Sequence, residues 1–276
     1  MTAVARTVLL ISRGTMSGGS MIAECLSSHG GIRCLTREDL LATVNTYGEV
    51  ATRIASQIPL AEQQYEEFSG IRRPYVILMR RALLEHVRAG RLAYFGYSGH
   101  LLLPRMRHCV RIRLIATMEV RVARTQEILG YSPAEAREYI RRVDQERTHW
   151  ARMVYGLDIR DPAEYDICIN IERLSQAGTC ALLRQLMEEP DFQATPESLE
   201  QFEREYLATQ VLAALVTDPA TEGLELGASV SENTLRVVGP HLAESERRLV
   251  LSVAAAVPGV PEVVYEPGYA PAFSCA

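Results

Sequence analysis

The chain of 276 residues contains no lysine, and all 29 of its basic residues are arginine. A coding bias toward arginine explains the absence, but the consequence is physical. Every cationic contact to an anion must come from a planar guanidinium, which is bulkier than an ammonium and suited to bidentate geometry. The chain also has no C-x-x-C pair: Cys25, Cys34, Cys109, Cys168, Cys180 and Cys275 are scattered. That excludes a zinc or disulfide framework as the first reading and favours reduced thiols, most of them in the core, as in a cytoplasm. No stretch approaches the ~18 apolar residues that a membrane span needs. The apolar run at 7–12 is short and leads straight into a glycine turn, unlike a secretory signal. A cytoplasmic protein without a transmembrane segment is expected. The net charge of −5 gives no electrostatic reason to expect nucleic acid as a partner.

What is present suffices for a real core, since 47% of residues are apolar. The length suits two domains. Up to residue 190, short apolar runs alternate with amphipathic stretches, which predicts an α/β sheet with crossover helices. Strands are expected over 8–12, 33–35, 92–95, 110–116 and 166–170. Helices are expected over 20–28, 37–60, 61–68, 75–88, 119–129 and 132–150. The last of these has a clear start, with Ser132 as N-cap, Pro133 in the first turn and Glu135 three residues after the cap. Cys109, Cys168 and Trp150 read as core and His241 as surface. A proline- and acid-rich break follows at 188–196, and the pattern then changes. A helix over 197–216, strands over 224–231 and 234–238 around a Glu232-Asn233 turn, a helix over 243–257 and a strand over 262–265 make an α-β-β-α-β unit. The expected division is 1–190, 196–266 and a loose tail, 267–276.

The stretch 7–26, TVLLISRGTMSGGSMIAECL, is an apolar strand, a glycine turn and a helix. Gly14 and Gly19 meet the G-x-x-x-x-G spacing of a phosphate-binding loop, but Ser20 and Met21 stand where lysine and a hydroxyl residue would follow. The start of a helix offers unpaired N–H groups and a positive dipole end to an anion. Gly14, Gly18 and Gly19 let the backbone approach closely, and Thr15, Ser17 and Ser20 add hydroxyls. The competing reading is a plain tight turn.

The run LLISRGTMSGGSMIA, the TRED segment at 36–39, LAYFGYSGHLLL, the S-P-x-E-A helix start at Ser132 and D-P-x-x-Y-D-x-x-I-N at 161–170 together resemble the cytidylate kinase-like family of P-loop nucleoside monophosphate kinases. Ser12, Arg13, Ser17, Gly18, Gly19, Ile22 and Ala23 match its opening, which does not use a standard lysine either. The resemblance covers about two-thirds of the chain and implies a parallel sheet flanked by helices, ATP with Mg²⁺ as donor and a nucleoside monophosphate as acceptor. It implies that Arg13, Gly14, Thr15, Ser17, Gly18, Gly19 and Ser20 hold the donor phosphates, and that Arg37, Arg80 and Tyr97 bind the acceptor. The D-x-x-R of Asp144 and Arg147 resembles the lid arm that brings arginine onto the transferring phosphate, with Asp144 orienting Arg147; the alternative is a surface ion pair. Arg13, Arg80, Arg141 and Arg147 are the candidates to replace the missing lysine. The G-R-D of cytidylate kinases is Gly96-Tyr97-Ser98 here, which alters the acceptor pocket. Tyr97 and His100 read either as pocket or as packing residues. The unit after 196 resembles a BON domain through V-T-D-P at 216–219, L-R-V-V-G at 235–239 and P-G-V-P-E-V-V at 258–264. It implies a protein or surface partner. Two functions remain open: a phosphotransferase, or a nucleotide-binding pseudokinase that signals through the BON-like unit.

Overall fold

The computed structural model describes residues 7–61, 69–96, 98–260 and 262–270. Two compact units share the chain in an interleaved way. One holds the described residues of 1–37 and 87–195, the other those of 38–86 and 196–274. The chain passes from one unit to the other at 195–196, and the segment 38–86 groups with the C-terminal half rather than with the sheet that flanks it in sequence.

The first unit is built on β1 (Val8–Arg13), β2 (Arg33–Thr36), β3 (Leu92–Gly96), β4 (Cys109–Ile115) and β5 (Ile167–Asn170). All pairings are parallel, in the order β2-β3-β1-β4-β5. The central strand is apolar on both faces because both are covered: Val8, Leu9, Leu10 and Ile11 are at most 1% exposed. Its helices are α1 (Gly19–Gly30), α5 (Met118–Leu129), α6 (Pro133–Tyr155) and α7 (Gln176–Glu188). Ile22, Cys25 and Leu26 of α1 join Leu183 and Met187 of α7 and the inward residues of β1, β3 and β4 in one apolar cluster. Helix α6 starts as expected, with the reciprocal Ser132–Glu135 capping box in place. Cys109 and Trp150 are buried, but Cys168 is exposed, because β5 is an edge strand and this residue faces away from the core.

The second unit holds α2 (Arg37–Val44), whose first residue belongs to the first unit, then α3 (Glu49–Ala61) and most of α4 (Ser69–Arg88). The single helix expected over 37–60 is broken by a 3-10 turn at Asn45–Tyr47 and by Gly48 at φ 112°, a conformation that continues no helix. Helix α4 begins five residues before Pro74 and runs through it, at the cost of one internal hydrogen bond. The helix expected over 61–68 lies outside the described residues beyond Ala61. The C-terminal part is α8 (Pro196–Thr217), β6 (Gly227–Ser231), β7 (Thr234–Gly239), α9 (Glu244–Ala255) and β8 (Glu262–Pro267). The β6–β7 pair is antiparallel around Glu232, which takes φ 50°, and β8 adds parallel to β7. Strand β8 reaches Pro267, and Gly268 N–H still donates to Gly239 O at 2.7 Å, so the tail is not loose from 267. His241 is exposed, as expected.

Arginines of the 38–86 segment are tied to the C-terminal part. Arg80 donates to Glu205 of α8 at 2.8 Å, Arg53 to Glu222 at 2.7 Å, and Arg73 to the carbonyl of Leu226 at 2.7 Å. The Arg80 side chain is 9% exposed and its Glu205 partner 25%. Among the described residues, no helix is long and apolar enough to cross a membrane.

Candidate active site

The end of β1 and the start of α1 form the loop 13–20, at the C-terminal edge of the sheet. Gly18 caps α1 in the left-handed region at φ 79°, and Met16 also takes positive φ, at 58°. The first turn of α1 carries no acidic residue, so nothing of its own opposes an anion there. The N–H groups of Gly19, Ser20 and Met21 lie in that turn, where no acceptor exists within the helix. Three glycines are needed by their surroundings. A Cβ on Gly14 would lie 2.7 Å from Ser17 Oγ, one on Gly18 would lie 2.8 Å from Arg124 Nη1, and one on Gly19 would overlap the Arg13 side chain.

That last contact places Arg13 across the helix start, the region where a loop lysine would bring its charge. Thr15 is 3% exposed and anchors the lid side: Arg147 Nη1 donates to its Oγ1 at 3.1 Å, and its own N–H donates to Asp144 Oδ1 at 3.0 Å. Asp144 Oδ2 accepts from Arg121 Nη2 at 2.5 Å, and Arg121 Nε donates to Thr15 O at 2.6 Å. Asp144 and Arg147 are therefore more than a surface pair. One turn apart on α6, they fasten that helix to the loop, and Asp144 orients Arg121 rather than Arg147. Ser20 is exposed at the mouth, and Met21 is 42% exposed.

Arg121 and Arg124 were missed in the sequence. Both sit on α5, directly after β4, which neighbours β1. The R-x-x-R spacing at 121–124 sets both on one helix face and is the signal that reveals them. Among the described residues, Arg124 Nη1 and Ser17 Oγ are buried polar atoms at the loop without a hydrogen-bond partner. Unpaired donors beside glycines that admit no side chain form a cradle that fits phosphate oxygens, with guanidinium groups in place of lysine. A magnesium ion held chiefly by those phosphates and water needs few protein ligands, and the Ser17 and Ser20 hydroxyls are the candidates.

Below the loop, Arg113 of β4 pairs in register with Ser12. Its Nη1 donates to Tyr165 Oη at 3.2 Å, and Tyr165, whose hydroxyl donates to Ile159 O at 2.7 Å, lies with its Oη 3.2 Å from Ser12 Oγ. His100 packs its ring on Tyr165 with centroids 4.4 Å apart and is fully buried, with neither ring nitrogen hydrogen-bonded. His100 is thus a packing residue. Gly96 and Gly99 are equally structural, because a Cβ on either would run into the Tyr94 ring. Burial, reinforced by Arg111, Arg113 and Arg105, pushes the His100 pKa down from 6.5 to about 3. A folded-state pKa below the unfolded one means that stability is complete above pH 6.5 and is lost as pH falls toward 3. The slope is about 1.4 kcal/mol per pH unit. Unfolding free energies from urea titrations at pH 7 and pH 5 should differ by about 2 kcal/mol more in the native protein than in His100→Phe. Equal differences would show that His100 is not the acid-labile group.

The remaining expected residues are not gathered at the loop. Arg37 opens α2 at the end of β2, half-buried, on the same edge of the sheet. Arg80 belongs to the second unit and is held by Glu205. Tyr97 lies outside the described residues. Arg141 lines a separate cleft beside α6.

A structure of an uncharacterized protein from Eubacterium ventriosum shares the fold, at 15% identity and a TM-score of 0.52, covering 66% of this chain and 99% of that one. A shikimate kinase from Bacteroides thetaiotaomicron aligns more loosely, at 13% identity and a TM-score of 0.40, over 66% of this chain and 99% of that one. Among curated proteins there is no significant match. The profile described as the cytidylate kinase-like family matches residues 8–173, which span the loop, α5 and the Asp144–Arg147 arm, so the chain belongs to the cytidylate kinase-like family.

Proposed function

We propose that the protein is an ATP-dependent phosphotransferase of the nucleoside monophosphate kinase type that works without a loop lysine. The observation that carries this is the guanidinium set around the loop, with Arg13 over Gly19, Arg124 beside Gly18, and Arg121 and Arg147 on Thr15. In this reading the loop amides, Arg13, Arg121 and Arg124 hold donor phosphates. Arg147 moves from Thr15 Oγ1 onto the transferring phosphoryl group, where charge stabilisation is most of the catalysis. Magnesium would supply further charge neutralisation between the donor's phosphates. Arg37 stands on the acceptor side, and Tyr97 is assigned to it by the family resemblance alone.

A second reading is a nucleotide-binding pseudokinase that reports through a BON-like C-terminal part. It is favoured by Asp144, whose carboxylate already takes the Thr15 N–H that a phosphate oxygen would use. Both readings require nucleotide binding. Calorimetric titration with Mg-ATP should give a saturable site that weakens about ten-fold or more in Arg124→Ala, the loss of a charge-assisted hydrogen bond or two. No binding by the native protein would remove both.

A further inference from the structure

At rest the loop already holds an anion, and that anion is part of the chain. The Asp144 carboxylate of α6 bridges two donors as a phosphate would. Its Oδ1 accepts from Thr15 N–H at 3.0 Å and its Oδ2 from Arg121 Nη2 at 2.5 Å. Thr15 is buried, so its amide needs an acceptor whether or not a ligand is bound. Arg121 is fixed in place, since its Nε donates to Thr15 O and its side chain is only 11% exposed. Asp144 is the partner with access to water, its side chain being 32% exposed. Helix α6 has one more tie to the same loop residue, from Arg147 Nη1 to Thr15 Oγ1, and that acceptor is neutral. Both ties leave from one turn of α6 and both end on Thr15. An incoming anion that takes the Thr15 amide can therefore break them in a single event.

We infer that Asp144 is a built-in stand-in for a nucleotide's phosphate, holding α6 on the loop at rest and expelled by the nucleotide when it binds. The inference rests on nucleotide binding at the loop, which both proposed readings share, and adds the means by which occupancy controls the position of α6. A phosphate oxygen satisfies Thr15 N–H and Arg121 as well as the carboxylate does, and its charge repels the carboxylate, so the two do not share the seat. The apparent affinity for nucleotide is lowered by the fraction of molecules in which Asp144 is docked. In the phosphotransferase reading, Arg147 leaves Thr15 in the same step, so it reaches the transferring group only when a donor is present. In the pseudokinase reading, the released helix is itself the signal.

The test titrates the full chain with a non-hydrolysable ATP analogue and Mg²⁺ by calorimetry. Fluorescence of Trp150, the single tryptophan, which is buried on the same helix, is followed in parallel. Asp144→Asn keeps the shape and removes the charge, and Asp144→Ala removes the acceptor. Each should bind the analogue about ten-fold or more tighter than the native protein. The analogue should shift the Trp150 emission of the native protein, and the unliganded variants should already show most of that shift. Glu146→Gln, on another face of α6 where the partner is Arg142, controls for a plain change of net charge and should leave the affinity within about two-fold. The two Asp144 variants are read independently, so a folding failure of one leaves the other to decide. Equal or weaker binding in a folded Asp144 variant, or equal tightening in Glu146→Gln, would overturn the inference and leave nucleotide binding standing. No binding of the analogue by the native protein or any variant would remove nucleotide binding at the loop, and the inference with it.

Discussion

Arg147→Ala is expected to lower phosphoryl transfer by ~10³-fold or more while ATP affinity stays within about three-fold. At rest, Arg147 is held at the loop. Its Nη1 donates to the hydroxyl of Thr15, a neutral acceptor, at 3.1 Å. A neutral partner is exchanged for a phosphoryl oxygen at little cost, because charge-assisted hydrogen bonds are about twice as strong. Arg121 is in the opposite position, since it is bonded both to Asp144 and to the carbonyl of Thr15. Arg121 therefore builds the site, and Arg147 is the arginine that the phosphotransferase reading sets on the charge as it develops. A substitution that removes an interaction made only in the transition state lowers kcat and kcat/KM together. Steady-state rates with calorimetric ATP affinities separate the cases. A loss of turnover below ten-fold, or a parallel loss of ATP affinity, would make Arg147 a ground-state ligand and return the finger role to Arg13.

The second large effect concerns the C-terminal part. Ending the chain at Thr195 is expected to abolish cooperative folding of the 38–86 segment, because that segment and 196–274 form one compact unit. Arg53, Arg73 and Arg80 would lose Glu222, the Leu226 carbonyl and Glu205 together. Leaving Arg80 buried without its carboxylate is costly in itself. Glu205→Ala alone should cost roughly 2–3 kcal/mol, less than the full loss of a buried pair because Glu205 keeps some solvent. Circular dichroism and chemical denaturation of the truncated chain and of Glu205→Ala measure both effects. A truncated chain with full helicity per residue and one sharp transition would contradict the shared unit and restore a C-terminal domain independent of 38–86.

The five strands of the sheet were legible in the sequence because buried parallel strands read as short apolar runs, and β1 to β5 fall where those runs lie. The loop was legible because its glycines are spaced by the geometry they serve. The interleaving of the two units was not, since periodicity marks which face of a helix is apolar but not what covers it. Helix α4 shows this: its apolar periodicity names the core face and says nothing of Glu205, more than a hundred residues away. Arg80 was accordingly assigned to the acceptor from its neighbours in sequence, although its bonded partner lies on α8. Arg121 and Arg124 were overlooked for a related reason. A helical R-x-x-R is common on solvated surfaces, and only the adjacency of β4 to β1 brings α5 to the loop. Asp144 was identified as a site residue, but its bonds to Thr15 and Arg121 depend on a fold that sequence spacing does not encode.

The most direct test of the central claim, that guanidinium groups replace the loop lysine in an active phosphotransferase, is transfer of labelled γ-phosphate from Mg-ATP to a panel of nucleoside monophosphates, with Arg147→Ala as control. The expected result is a labelled diphosphate product from at least one acceptor, and its loss in the control. Saturable ATP binding with no transfer to any acceptor would contradict it and identify the protein as a nucleotide-binding pseudokinase.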